Sequence, residues 1–202
     1  MATLRLYDSS RSGNCYKVRL LLTLLGIPFE RIDVDVVDRS NRLDLLGDKN
    51  PALRVPTLQL DDGTYLAESN AILWYFADGT PYLPNDRLER ARVLQWMFFE
   101  QYDVEPNLAV ARFWISILGK RDEYAGALED KWKAGYRALD GMERHLDGRL
   151  FLAGDRFSIA DIALYAYVHV ADEGGFDLGP YPSVRAWLAR VAGQPGHVPM
   201  QG

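Results

Sequence analysis

The stretch from Thr3 to Val36, TLRLYDSSRSGNCYKVRLLLTLLGIPFERIDVDV, decides the fold. Thr3 to Tyr7 is short and alternating, as in a half-buried strand. The polar segment Asp8 to Asn14 then leads into the apolar run Tyr16 to Leu25, which reads as a helix. Gly26 followed by Pro28 stops that helix, because glycine accepts the left-handed cap and proline cannot continue the hydrogen-bond ladder. From Phe29 to Val36, Ile32, Val34 and Val36 fall on one face with Asp33 and Asp35 on the other, giving a second strand. A strand-helix-strand unit of this size favours parallel pairing through a right-handed crossover.

Downstream, a polar and poorly patterned stretch precedes Thr57 to Leu60, the turn pair Asp62-Gly63 and Tyr65-Leu66, which together predict a β-hairpin. A helix follows from Glu68-Ser69 to Ala77, and Gly79 to Asn85, with Pro81 and Pro84, reads as a linker. Beyond it strand signals vanish. From Val93, the residues Met97, Gln101, Val104, Leu108, Ala111, Ile115 and Leu118 recur at spacings of three and four, with only Gln101 breaking the apolar stripe. Tyr124, Leu128, Trp132, Tyr136, Leu139 and Leu146 mark a second long helix, and shorter helices are predicted at 159–170 and 184–192. The expected class is therefore α/β plus all-α: a βαβ-ββα domain at 1–78, a linker at 79–87 and a helical bundle at 88–202.

Composition narrows the function. In 202 residues the formal net charge is -5, with no basic stripe of the kind nucleic-acid binders carry, so no nucleic-acid partner is expected. Cys15 is the only cysteine, which rules out an intrachain disulfide or a cysteine-based metal cluster and suits a reducing compartment. The start of the chain lacks a signal-peptide pattern, and no apolar run reaches the roughly 18 residues of a membrane span. These features predict a cytoplasmic protein without membrane association. His145, His169 and His197 lack metal-ligand spacing, and no metal is expected.

Four local signals, in order, resemble the cytosolic glutathione S-transferase family over essentially the whole chain. The first is Ser12-Gly13-Asn14-Cys15-Tyr16-Lys17-Val18-Arg19, similar to the segment that carries the thiol-activating residue in the serine-type classes. The resemblance gives Ser12 the catalytic hydroxyl, with Asn14 as a second donor to the sulfur, as in the bacterial nu class. A free thiol has a pKa near 8.5, so only a few per cent is thiolate at neutral pH, and the thiolate is the nucleophile. A hydroxyl or amide donor at a helix N-terminus favours the anion, each pKa unit being worth about 1.4 kcal/mol. Read locally, the same residues are helix caps.

The second signal, Asn50-Pro51-Ala52-Leu53-Arg54-Val55-Pro56-Thr57, resembles the family's Asn-Pro-x-x-x-Val-Pro stretch. It implies a cis bond before Pro56 and a Val55 backbone that pairs with the cysteinyl unit of glutathione like a short strand. The third, Glu68-Ser69-Asn70-Ala71-Ile72, implies that Glu68 meets the γ-glutamyl ammonium and Ser69 its α-carboxylate. Arg39, Arg42, Lys49 and Arg54 are the candidates for the glycyl carboxylate. The fourth, Ser158-Ile159-Ala160-Asp161, resembles the family's capping box, with Phe157 and Ile162 as its hydrophobic staple, and is assigned to folding.

The resemblance implies a thioredoxin-like glutathione domain followed by an all-helical domain. A small hydrophobic electrophile would sit against the Ser12 loop and the first long helix, where Phe99, Tyr102 and Phe113 supply aromatic surface. It also implies a homodimer, glutathione as co-substrate, and conjugation, peroxide reduction or disulfide reduction as the reaction. A non-catalytic interaction module with the same fold is the alternative. The pattern departs from the zeta class, since Ser12-Gly13-Asn14 stands where that class has Ser-Ser-Cys. Tyr7 resembles the tyrosine other classes use, but belongs to the first strand. Cys15, three residues past Ser12, reads as a buried structural thiol.

Overall fold

The computed structural model describes residues 4–201, so Thr3 and Gly202 lie outside the described residues. The chain forms two compact units, one from the residues up to Asp78 together with the segment from Pro195 onward, the other from Gly79–Gln194.

The first unit runs β1 (Leu4–Asp8), α1 (Gly13–Leu24), β2 (Phe29–Asp33), α2 (Arg42–Leu46), β3 (Thr57–Gln59), β4 (Tyr65–Ala67) and α3 (Ser69–Ala77). Its four strands stand in the order β2-β1-β3-β4, with β1 and β2 parallel and the other pairs antiparallel. This is the thioredoxin-like arrangement expected. Alternation along β1 sends Leu4 and Leu6 to one face, where Val18 and Leu22 of α1 and Ile72 of α3 bury them with Leu58. Tyr7 points to the other face, against Val34 and Leu46.

Two details differ from the sequence pattern. β2 ends at Asp33 rather than Val36, and the Val34 N–H that donates to the Asp8 carbonyl at 2.7 Å is the last ladder bond to β1. The featureless stretch before β3 holds α2, a five-residue helix without a side-chain cap, anchored by buried Arg42 and Leu46. The Asp62-Gly63 turn forms as expected: Gly63 adopts φ 86° and Leu60 N–H donates to Thr64 O at 2.8 Å.

The terminal segment, expected to extend the helical region, packs on the first unit. Arg19 of α1 donates to the Met200 carbonyl at 2.7 Å while pairing with buried Asp8, which also pairs with Arg31. Tyr16 donates its hydroxyl to Val198 O at 2.7 Å.

In the second unit, α4 (Arg87–Phe99) is capped by Asp86, whose carboxylate accepts from Leu88 and Glu89 N–H. The helical run continues through π-type turns at Glu100–Ala109, α5 (Val110–Arg112) and further π-type turns at Phe113–Ile117. Pro106 lies within the first of these, where its missing N–H would break an α-helical ladder. α6 (Ala125–Leu146) buries Leu128, Leu139, Met142 and Leu146. Gly135 of α6 admits the Phe176 ring, since a Cβ there would run into that ring.

α7 (Ile159–Val168) is buried on all sides, as its continuous apolar sequence requires, and α8 (Pro182–Ala192) begins with proline at its first turn. No helix among the described residues is long and apolar enough to cross a membrane.

The capping box at the start of α7 forms. Asp161 Oδ2 accepts from Ser158 N–H at 2.9 Å, and Oδ1 accepts from Leu152 N–H at 3.0 Å and from Trp187 Nε1 at 2.9 Å. Burial pushes the Asp161 carboxyl up to about 6 against the pull of these donors. Phe157 packs edge-on against Tyr82, with ring centroids 5.9 Å apart. Replacing Asp161 with alanine leaves several buried donors without their acceptor. The expected cost is about 3 kcal/mol, seen as a melting temperature lower by roughly 6–12 °C in calorimetry.

Candidate functional site

The first unit brings the starts of α1 and α3 together. Ser12 is the N-cap of α1, and its Oγ accepts from Cys15 N–H at 3.3 Å, so the local capping role is real. A capping oxygen acts as acceptor, and a hydroxyl retains a proton to donate. Asn14, in the first turn of α1, has an Oδ1 that accepts from Ser69 Oγ at 3.0 Å and from Lys17 Nζ at 2.8 Å. Ser69 is the buried first residue of α3. Lys17 Nζ lies 3.4 Å from Ser69 Oγ, which closes a triangle of three side chains.

Lys17, which no local sequence pattern marks as a site residue, is wholly excluded from solvent, with 0% exposure. Its one link to the site is its spacing: residues three apart on a helix share a face, and Asn14 is three before it. Cys15 is equally buried, and burial pushes its thiol up to about 12, with the charge of Asp8 acting in the same direction. Such a thiol stays protonated at neutral pH.

The Val55-Pro56 bond is cis. The loop before it is organised by buried Asn50, whose Nδ2 donates to Arg54 O at 2.9 Å and to Thr57 Oγ1 at 3.0 Å. Glu68 holds a left-handed backbone, φ 66°, immediately before α3, and its side chain makes no cap hydrogen bond. A non-glycine residue in that region is strained by roughly 1–3 kcal/mol, which is common where a backbone must meet a ligand.

The basic candidates separate. Arg42 is buried and donates from Nη1 to Leu53 O at 2.9 Å and from Nη2 to Asp35 O at 3.3 Å, so its guanidinium holds the loop together. Burial lowers its pKa from the ordinary arginine value. Lys49 pairs with Asp48 at 2.5 Å and lies 5.9 Å from the centre of the Tyr7 ring. Arg39 and Arg54 are exposed. Tyr7 sits on the α2 face of the sheet with Tyr65, the face opposite the α1 and α3 packing, and burial raises its pKa.

In the second unit, Phe99 is half-buried and forms an edge-to-face pair with Trp96, ring centroids 5.2 Å apart. Phe113 is half-buried, whereas Tyr102 is 84% exposed on the π-type segment. Among the described residues, no group of histidine, cysteine, aspartate and glutamate side chains could hold a metal ion.

The glutathione S-transferase N-terminal domain family matches residues 11–78, and the glutathione S-transferase C-terminal domain family matches residues 125–190. A crystal structure of a glutathione S-transferase from Pseudomonas fluorescens Pf-5 is 50% identical, with a TM-score of 0.96, covering 98% of this chain and 99% of that one. A maleylacetoacetate isomerase from Rhizobium meliloti is 34% identical over 93% of this chain and 91% of its own length. The disulfide-bond oxidoreductase YfcG of Escherichia coli is 27% identical over 90% of this chain and 87% of its own. A glutathione transferase from Burkholderia graminis, solved with two glutathione molecules per subunit, is 27% identical with a TM-score of 0.83, covering 96% of this chain and 85% of that one.

The burial of Cys15 has a direct consequence in thiol chemistry. The folded protein should release no chromophore from an aromatic disulfide reagent at about pH 8, and should release one equivalent per chain after denaturation.

Proposed function

From the premise that the chain belongs to the glutathione S-transferase family and is a glutathione transferase, we propose that it ionises bound glutathione at the mouth of α1 and delivers the thiolate to a small hydrophobic electrophile. The observation that carries this reading is the convergence of two helix starts, Asn14 of α1 and Ser69 of α3, joined by a hydrogen bond of 3.0 Å. Free N–H groups at the start of α3 suit the α-carboxylate of the γ-glutamyl unit, with Glu68 beside it for the ammonium. The sulfur would then lie at α1, where Ser12 and Asn14 offer donors to a developing anion. The cysteinyl backbone pairs with Val55 at the cis-Pro56 corner, and Lys49 or Arg54 meets the glycyl carboxylate. Arg42 is withdrawn from that role because its terminal nitrogens are engaged by backbone carbonyls.

A second reading, disulfide reduction, starts from the same thiolate. The Escherichia coli relative named as a disulfide-bond oxidoreductase and the two glutathione molecules bound per subunit in the Burkholderia graminis relative favour it. Isomerisation of maleylacetoacetate is not assigned, since Asn14 stands where the zeta-class motif carries cysteine. The electrophile would be held by aromatic surface from Phe99, Tyr102 and Phe113. A homodimer and a cytoplasmic, detoxifying role complete the reading; a single reduced cysteine is compatible with that compartment.

Replacing Ser12 and Asn14 together with alanine should lower kcat/KM for conjugation of an aryl halide by about 100-fold, and should abolish the ultraviolet thiolate absorbance of the complex. Unchanged rates would overturn the assigned mechanism, and wild-type protein that gives no heat with millimolar glutathione would favour the interaction module instead. Sedimentation at micromolar concentration should return twice the 22.9 kDa chain mass, and a monomer mass would exclude the dimer.

A further inference from the structure

We infer that Lys17 is a positioning residue for thiolate formation: it locks the Asn14 amide with its oxygen turned inward, so that the N–H end is presented to the sulfur of bound glutathione. This rests on the reading of the α1 mouth as the thiolate site. The argument is one of donor and acceptor chemistry. A lysine ammonium has three donors and no acceptor, whereas an asparagine side chain accepts only through its oxygen and donates only through its nitrogen. Lys17 Nζ sits 2.8 Å from Asn14 Oδ1. The flipped amide would set NH₂ against an ammonium, donor facing donor, so the presence of Lys17 dictates which end of Asn14 faces inward.

Ser69 Oγ, 3.0 Å from the same oxygen, tightens the arrangement but could serve a flipped amide as acceptor; Lys17 could not. An amide oxygen presented to the thiolate would repel it, and the amide N–H attracts it.

Mere packing explains this lysine poorly. An apolar side chain would fill the same space without the desolvation penalty of several kcal/mol that a buried ion carries.

The test is Lys17→Met, with Lys17→Arg as the charge-preserving control. In Lys17→Met the ionised fraction of bound glutathione at neutral pH should fall about tenfold, read by ultraviolet thiolate absorbance. The kcat for conjugation should fall by a similar factor while KM for glutathione moves less than about threefold. Lys17→Arg should recover most of both losses. Adding Asn14→Ala to Lys17→Met should lower the ionised fraction no further, because the two residues act through one amide. A folded Lys17→Met protein with wild-type thiolate absorbance and kcat, and only a lowered melting temperature, overturns the inference and leaves the transferase reading intact. Wild-type protein that binds no glutathione in calorimetry overturns both. Should Lys17→Met fail to fold, Lys17→Gln replaces it under the same criteria, a wild-type ionised fraction again refuting the role.

Discussion

An ammonium removed from water must be surrounded by acceptors, and this requirement at Lys17 ties the first unit together. Two of its acceptors come from residues 14 and 69, far apart in the chain. They meet only because the β3–β4 hairpin returns the chain so that α3 packs beside α1 over the same sheet face. The penalty for one buried ion is several kcal/mol, and the cluster of Leu4, Leu6, Val18, Leu22, Leu58 and Ile72 offsets it at about 1.5–3 kcal/mol for each buried side chain. Core packing therefore does more than stabilise the fold here. It carries a charge to the place where two helix starts meet.

How much of this could be read from the residues depends on range. Signals contained within a few positions were legible: the alternation of the first strand, the Gly26–Pro28 stop, the Asp62-Gly63 turn and the Ser158–Asp161 box all act on their own neighbours. The short helix at Arg42–Leu46 was not, because it has no side-chain cap and gains its order from burial of Arg42 and Leu46 against the rest of the unit. Lys17 lies inside an apolar run, where a lysine ordinarily reaches out to water; one of the acceptors that it meets instead, Ser69, is 52 residues away. The acceptors of Arg42 were hidden for a related reason, since the carbonyls that its terminal nitrogens meet belong to loop residues whose placement no local pattern reveals.

The second unit shows a subtler limit. Spacings of three and four along Met97 to Leu118 predict an ordinary helix, and burial of Met97, Val104, Leu108 and Ala111 agrees with that stripe. The backbone nevertheless runs through wider turns on both sides of Val110–Arg112. A proline mid-helix can be accommodated by widening the turn, which keeps the apolar residues inward while rotating their neighbours. Glu100 takes the buried position where Gln101 had seemed to break the stripe. The polar interruption was real, but it belonged one residue earlier.

Under the proposed function, the two polar groups at the start of α1 and the cysteine beside them differ in what they can do for a thiolate. Cys15 shares the helix start that would activate a thiolate, yet burial and the charge of Asp8 hold its own proton in place. A helix N-terminus favours an anion only where that anion can sit at the open end, in reach of unsatisfied N–H groups. Cys15 points inward from the first turn with no exposure at all. Any thiolate generated here is therefore supplied by a ligand. Conjugation and disulfide exchange both begin with that same anion, so one donor arrangement serves either outcome, and the choice between them rests with the group presented to the sulfur.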